Sequence, residues 1–123
     1  MENHNQQFGK LGEEIAVEYL EKKGYKILCR NYKFSRVEID IVTQHENEIV
    51  FVEVKTRTSD QMAFPEQAVG KAKQRNIRLA AENFIEENQM NLPARFDIIA
   101  VIKNQYRFEI EHIEDAFYPF DAL

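Results

Sequence analysis

Residues Val37 to Val42 and Ile49 to Arg57 carry charged side chains at alternating positions in two otherwise apolar, β-branched runs. A period of two belongs to the extended strand and to no helix, so these runs constrain the fold more than any other part of the chain. Between them, Gln44-His45-Glu46-Asn47-Glu48 is polar and suits a hairpin turn. A four-residue loop from His45 to Glu48 leaves Thr43 paired with Val50 and sets Asp40 directly opposite Glu53. Opposite residues of an antiparallel pair share a face, with Cβ atoms roughly 5 Å apart, so two carboxylates converge. The same register puts Lys55 opposite Glu38 and sends Ile39, Ile41, Val52 and Val54 to the other face as core. A slip by one residue would bury the charges and expose the core residues, so the pattern specifies its own register.

Two carboxylates this close repel each other unless a proton or a cation lies between them. Oxygen donors suit Mg²⁺ or Mn²⁺ rather than zinc, which prefers nitrogen and sulfur. Lys55, two residues beyond Glu53, is placed to orient or deprotonate an attacking water and to stabilise charge on a phosphate. These three residues form a candidate site for phosphodiester hydrolysis, with Asp40 and Glu53 as metal ligands. The spacing is equally compatible with plain cross-strand ion pairs, Glu38 with Lys55 or Glu53 with an arginine.

The pattern Asp40 … Glu53-Val54-Lys55 resembles the signature of the PD-(D/E)XK nuclease superfamily, in which an acidic residue on one strand precedes Glu-x-Lys on the next. Over most of its length the chain is similar to the YraN family of small bacterial proteins. The matching stretches are Gly9 to Ala16, Tyr19-Leu20, Gly24 to Leu28, Arg30-Asn31-Tyr32, Glu38-Ile39-Asp40 and Val50 to Arg57, followed by Pro65, Ala68-Val69, Lys73 and Arg95-Phe96-Asp97. The chain departs at Val37, where the family usually has glycine, a change that bears on the backbone entering the strand and not on the ligands. The resemblance implies an α/β fold, a restriction endonuclease-like mixed β-sheet flanked by helices, close to that of Holliday-junction resolvases. It implies a Mg²⁺- or Mn²⁺-dependent endonuclease acting on DNA, with branched or structured DNA as the expected substrate. It also implies Asp40 and Glu53 as metal ligands, Lys55 as the catalytic lysine, and Glu13 as an acid that reaches the metal through water. Gln67 and Lys73, on the following helix, would be peripheral.

The net charge of −5 argues against nucleic acid until its distribution is considered. Residues 22–78 hold twelve of the sixteen lysines and arginines, whereas residues 82–123 hold nine acids against three bases. Phosphate binding follows local charge, so Arg30, Arg36, Arg57, Lys71 and Lys73 are candidate nucleic-acid contacts. The alternative for Lys71, Lys73, Arg75 and Arg78 is a solvated helix face. A non-catalytic nucleic-acid-binding or protein-interaction module on the same fold is the rival to the enzyme. A structural adaptor using the aromatic tail would bind neither metal nor DNA.

The length suits one domain spanning residues 1–123. The polar amino terminus has no apolar signal region and no stretch approaches a membrane span, so a cytoplasmic location is expected. The single cysteine, Cys29, follows apolar Ile27-Leu28 and is expected as a strand or core residue. A first helix is predicted from about Asn5 to Lys23, with Phe8, Leu11, Ile15, Ala16, Tyr19 and Leu20 as its apolar stripe and Gly24 as its C-cap. A strand over Lys26 to Phe34 and the hairpin follow, then a polar loop from Thr58 to Phe64. A second helix is predicted from Pro65 to about Asn88, with Val69, Ala72, Ile77, Ala80, Ala81 and Phe84 facing the sheet. Arg95 to Ile102 reads as a buried strand in which Asp97 is structural, and Tyr106 to Ile113 as a half-exposed one. The tail Phe117-Tyr118-Pro119-Phe120 is expected to pack on the domain or on a second copy, which leaves a homodimer among the expected states.

Overall fold

The first apolar stripe folds as α1, His4–Lys22, in a computed structural model that describes residues 4–58 and 70–117. Gly24, at φ +88°, ends the helix: its N–H donates to the Glu21 carbonyl at 3.0 Å while the Tyr25 N–H reaches back to Leu20 at 3.0 Å. This double bond across a left-handed glycine caps carbonyls that the helix leaves unpaired. Five strands follow around a second helix: β1 Lys26–Phe34, β2 Val37–His45, β3 Glu48–Thr58, α2 Lys71–Glu87, β4 Ala94–Lys103 and β5 Phe108–Ile113. They form one sheet in sequence order, with β3 and β4 parallel and every other pair antiparallel. The parallel step requires a crossover, and α2 supplies it. This is the α/β mixed sheet flanked by helices that the sequence leads one to expect. No helix among the described residues is long and apolar enough to cross a membrane.

Each face of the sheet is covered by one helix. On one side Ile77, Ala80, Ala81 and Phe84 of α2 pack on Val42, Phe51, Phe96 and Ile98. Phe51 stacks on Phe96 at 5.3 Å and meets the edge of Phe84 at 6.0 Å. Burying one such side chain contributes about 1.5–3 kcal/mol. On the other side Ala16 and Leu20 of α1 pack on Ile41, Val50, Val52, Ile99 and Val101.

The hairpin keeps the expected register, with Thr43 opposite Val50, but closes through the two residues Glu46-Asn47 rather than four, Glu46 taking φ 55°. Other expectations need correction. Ile39 does not share a face with Ile41: it packs with Phe51 and Phe84 under α2, because β2 and β3 separate beyond the Ile41–Val52 pair. Among the described residues there is no wet charged face opposite the core, since α2 covers that side and Glu53 is only 5 % exposed. Leu11 is 46 % exposed and Ala72 lies on the outer side of α2, so both leave the predicted stripes. Tyr106 belongs to the β4–β5 turn, where the Asn104 carboxamide oxygen accepts from the Tyr106 and Arg107 amides, and not to β5. Cys29 lies in β1 against the α2-side core, as expected of a strand residue. Phe117 packs its ring on Phe96 at 5.6 Å. Pro65, Gln67, Val69, the loop from Ser59 to Phe64 and the tail residues Tyr118 to Phe120 lie outside the described residues.

At the end of the sheet remote from Lys55, fully buried Asp97 is met by three residues through four polar contacts. Arg95 binds it through Nε and Nη2 at 2.9 and 2.8 Å, His112 Nε2 lies at 2.7 Å, and the Asp115 amide donates at 3.0 Å. Tyr19 of α1 bonds His112 Nδ1 at 3.0 Å, and Tyr25 bonds Arg95 at 2.7 Å while stacking on His45. Burial works against the Asp97 anion, but the bonds from His112, Arg95 and the Asp115 amide outweigh it and hold the carboxyl below its ordinary range. Asp97 is therefore structural, as its position at the start of a buried strand suggests.

Candidate active site

Asp40 stands where β2 parts from β3. Its Oδ2 accepts the Val54 N–H at 2.8 Å, taking the place of the backbone acceptor that a continuing ladder would offer. The aspartate thus closes the gap that its own strand opens. Burial first, and then the charge of Glu53, push its carboxyl up to about 7 against an ordinary value of 3.8. Glu13 and Glu38 add smaller contributions in the same direction, and the Val54 bond opposes them.

Glu53 lies on β3 beneath α2. Its Oε2 meets Lys73 Nζ at 3.0 Å and Lys55 Nζ at 3.9 Å, while its buried Oε1 has no partner among the described residues. Lys55 is pulled below its ordinary value by burial and by the neighbouring Lys73 ammonium, with which its side chain also hydrogen-bonds. Burial pulls Lys73 down as well, but the charge of Glu53 and hydrogen bonds to Glu53 and Lys55 outweigh it and raise the group. The expected Lys55–Glu38 pairing is replaced by this Glu53–Lys55–Lys73 group, because the separation of the strands carries Glu38 away from β3.

Glu38, Asp40 and Glu13 line one open pocket of about 550 Å³ whose wall includes Val54 and Thr56. Lys10 and Lys33 also line it. Gly12 allows α1 to press here: a Cβ at position 12 would run into the Thr56 methyl group, so only glycine lets the helix approach closely enough to bring Glu13 over the pocket. Asn31 of β1 donates through Nδ2 to both Glu13 oxygens at 3.2 and 3.3 Å.

The structure therefore brings Asp40, Glu53 and Lys55 together across the parted strands, with Glu13 on the same pocket as Asp40. Lys73 is not peripheral: it joins Glu53 directly, from the first turns of α2. Gln67 lies outside the described residues. Of the other basic candidates, Arg30 is held by Glu14 at 2.7 Å and Arg57 by Glu111 at 3.6 Å. Arg36, in the β1–β2 turn, and Lys71, at the start of α2, are exposed. Asn31 is the site residue that sequence reasoning missed. It is visible only as the middle of a matched Arg-Asn-Tyr run, which says nothing about its backbone.

The donor set can be tested against a divalent cation. Among the described residues no group of three or more His, Cys, Asp and Glu side chains is arranged to hold one. Two carboxylates do fit Mg²⁺ or Mn²⁺, which commonly bind one or two carboxylates and complete the shell with water and substrate phosphate. The orphaned Glu53 Oε1 and the raised Asp40 carboxyl are both conditions that such a cation relieves.

Residues 12–101 match the family model described as "Uncharacterised protein family UPF0102". A UPF0102 protein of Flavobacterium psychrophilum is 48 % identical over 98 % of this chain and 100 % of its own length. One of Bacteroides thetaiotaomicron is 47 % identical over 97 % of the chain and 98 % of its own length. Another, from Christiangramia forsetii, is 42 % identical over 98 % and 100 %. None of these names states an activity.

Proposed function

The chain belongs to UPF0102, the YraN family, and on that footing we propose that it is a Mg²⁺- or Mn²⁺-dependent endonuclease hydrolysing phosphodiester bonds of DNA, with branched or structured DNA as substrate. One observation carries the reading: two converging carboxylates, one raised to about 7 and the other with an unpartnered buried oxygen, beside a lysine of lowered proton affinity. A surface ion pair needs none of these features. Perturbed groups of this kind gather where chemistry is done.

Asp40 and Glu53 would hold the cation, which when bound supplies positive charge to the phosphate and acidifies the attacking water. Lys55, moved toward its neutral form by burial and Lys73, takes the proton of that water as its oxygen attacks phosphorus. The P–O bond to the leaving sugar oxygen breaks, and that oxygen takes up a proton from solvent. Lys73 offsets the Glu53 charge and offers an ammonium to the crowded phosphate oxygens. Arg36, Lys71 and Lys33 would meet flanking phosphates as exposed or pocket-lining cations. Arg30 and Arg57, already held by Glu14 and Glu111, contribute less.

The rival reading, a binding module that does not cut, is favoured by one feature: Lys73 at 3.0 Å already gives Glu53 a cation. Cleavage of labelled duplex, single-stranded, flap and four-way-junction DNA in Mg²⁺ or Mn²⁺ decides between the two. Metal-dependent cutting that Asp40→Asn and Lys55→Ala both abolish supports the nuclease. DNA binding without cutting in all three proteins supports the module.

A further inference from the structure

Asn31 lies in the middle of β1, yet its backbone takes φ 54°, the left-handed region that asparagine tolerates better than most residues with a Cβ. Arg30 pairs with Ile41 and Tyr32 with Ile39, so the Asn31 row is the one that faces Asp40. A left-handed residue sends its side chain off in a direction that a regular strand position does not allow. Here it ends on Glu13, and the amide nitrogen must be the atom that faces a carboxylate, since the amide oxygen would be repelled.

Without that amide Glu13 has reason to leave. It shares one pocket with Asp40 and Glu38, both acidic, and it is a long side chain on a helix surface. Like charges lining one pocket drive a mobile carboxylate toward water. An arginine or lysine at position 31 would also hold Glu13, but it would cancel the charge. A neutral amide holds the carboxylate and leaves its charge available to whatever cation enters the pocket. The geometry points to Asn31 as the positioning residue of the site: its amide and its left-handed backbone together fix Glu13 toward Asp40. This inference rests on the metal-dependent reading above and names the residue that completes it.

The test uses the full chain, with Mn²⁺ as probe, its binding followed by electron paramagnetic resonance and calorimetry. Asn31→Gly keeps the left-handed backbone and removes the amide. Asn31→Gly is expected to weaken Mn²⁺ binding about 10–100-fold, the usual effect of losing a group that orients a ligand. Asn31→Gly combined with Glu13→Gln is expected to bind no more weakly than Glu13→Gln alone, since one acts through the other. On any DNA that the wild type cuts, kcat falls with KM unchanged. Melting temperatures of the Asn31 variants should stay close to wild type, which separates positioning from a folding defect. Unchanged Mn²⁺ affinity in Asn31→Gly, or losses that add in the double variant, overturns this inference alone. If the wild type itself binds no Mn²⁺, the metal-dependent reading falls, and this inference with it.

Discussion

Asp40→Asn separates the two demands placed on that side chain. The wild-type carboxyl holds its proton up to about pH 7 in the fold, against 3.8 in the unfolded chain, because it is buried and lies beside Glu53. Its contribution to stability is therefore fully present below pH 3.8 and is lost as pH rises through about 7. Each pH unit in that window costs about 1.4 kcal/mol, so the whole window amounts to about 4 kcal/mol. Relaxation around the site lowers the expected loss to about 2–4 kcal/mol at pH 8. Asparagine keeps an oxygen for the Val54 N–H and removes the titrating charge. At about 3–5 °C for each kcal/mol in a chain of this length, the variant should melt roughly 6–20 °C above wild type at pH 8 in chelator. The two proteins should converge at pH 4. Added Mg²⁺ at tenfold excess over its Kd should raise wild-type stability by about 1.4 kcal/mol and leave the variant unmoved. Thermal melts by circular dichroism at pH 4, 6 and 8, with and without Mg²⁺, measure all of this. Carboxylates remote from Asp40 cancel in the difference between the proteins. Equal melting at pH 8, or a gap that persists undiminished to pH 4, would refute the reasoning.

Lys73→Met removes the ammonium 3.0 Å from Glu53 but keeps most of its apolar stem, so metal-free stability at pH 8 should fall by about 1–3 kcal/mol in urea, with Mg²⁺ restoring part of it. Gly12→Ala drives a methyl group into that of Thr56 and should cost about 1–3 kcal/mol; Thr56→Ser, which deletes the obstructing methyl, should recover most of the loss when the two are combined. Asp97→Asn leaves Arg95 and His112 without their shared anion and should cost about 3–5 kcal/mol at pH 7. Because the Asp97 carboxyl lies below its ordinary value, its stabilisation is present above that value and is lost as pH falls through the depressed one. Urea titrations at pH 7 and pH 3 should therefore show the Asn variant's deficit shrinking in acid.

Much of the sheet could be read from alternation alone, because a strand with a buried face must keep its register. The Thr43–Val50 pair and the continuous apolar run of β4 follow from that rule. Ile39 escapes it: alternation assumes that paired strands stay paired, and β2 leaves β3 at Asp40. The same departure moves Glu38 from Lys55 to the pocket beside Glu13. Asp40, Glu53 and Lys55 could be found because charge in an apolar strand is anomalous. Lys73 looked like one of several cations on a helix face, and no local pattern says which of them turns inward. Asn31 was hidden for another reason, since a single left-handed residue leaves no periodic trace.

The Asp97 clamp also sets an order of assembly. Tyr19 and His112, which it joins, are 93 residues apart, and Tyr25 and Arg95 are 70 apart. Contacts this distant require a large loop to close before they return any stabilisation. On the ribosome, α1 emerges before the sheet, yet two of the five buried sheet residues under it, Ile99 and Val101, belong to β4 and emerge much later. The hairpin can form early from its own local pairing, while α1 waits with Ala16 and Leu20 only partly covered. Its final docking, and with it the delivery of Glu13 to the pocket, belongs to the moment when the segment through Asp115 has left the exit tunnel.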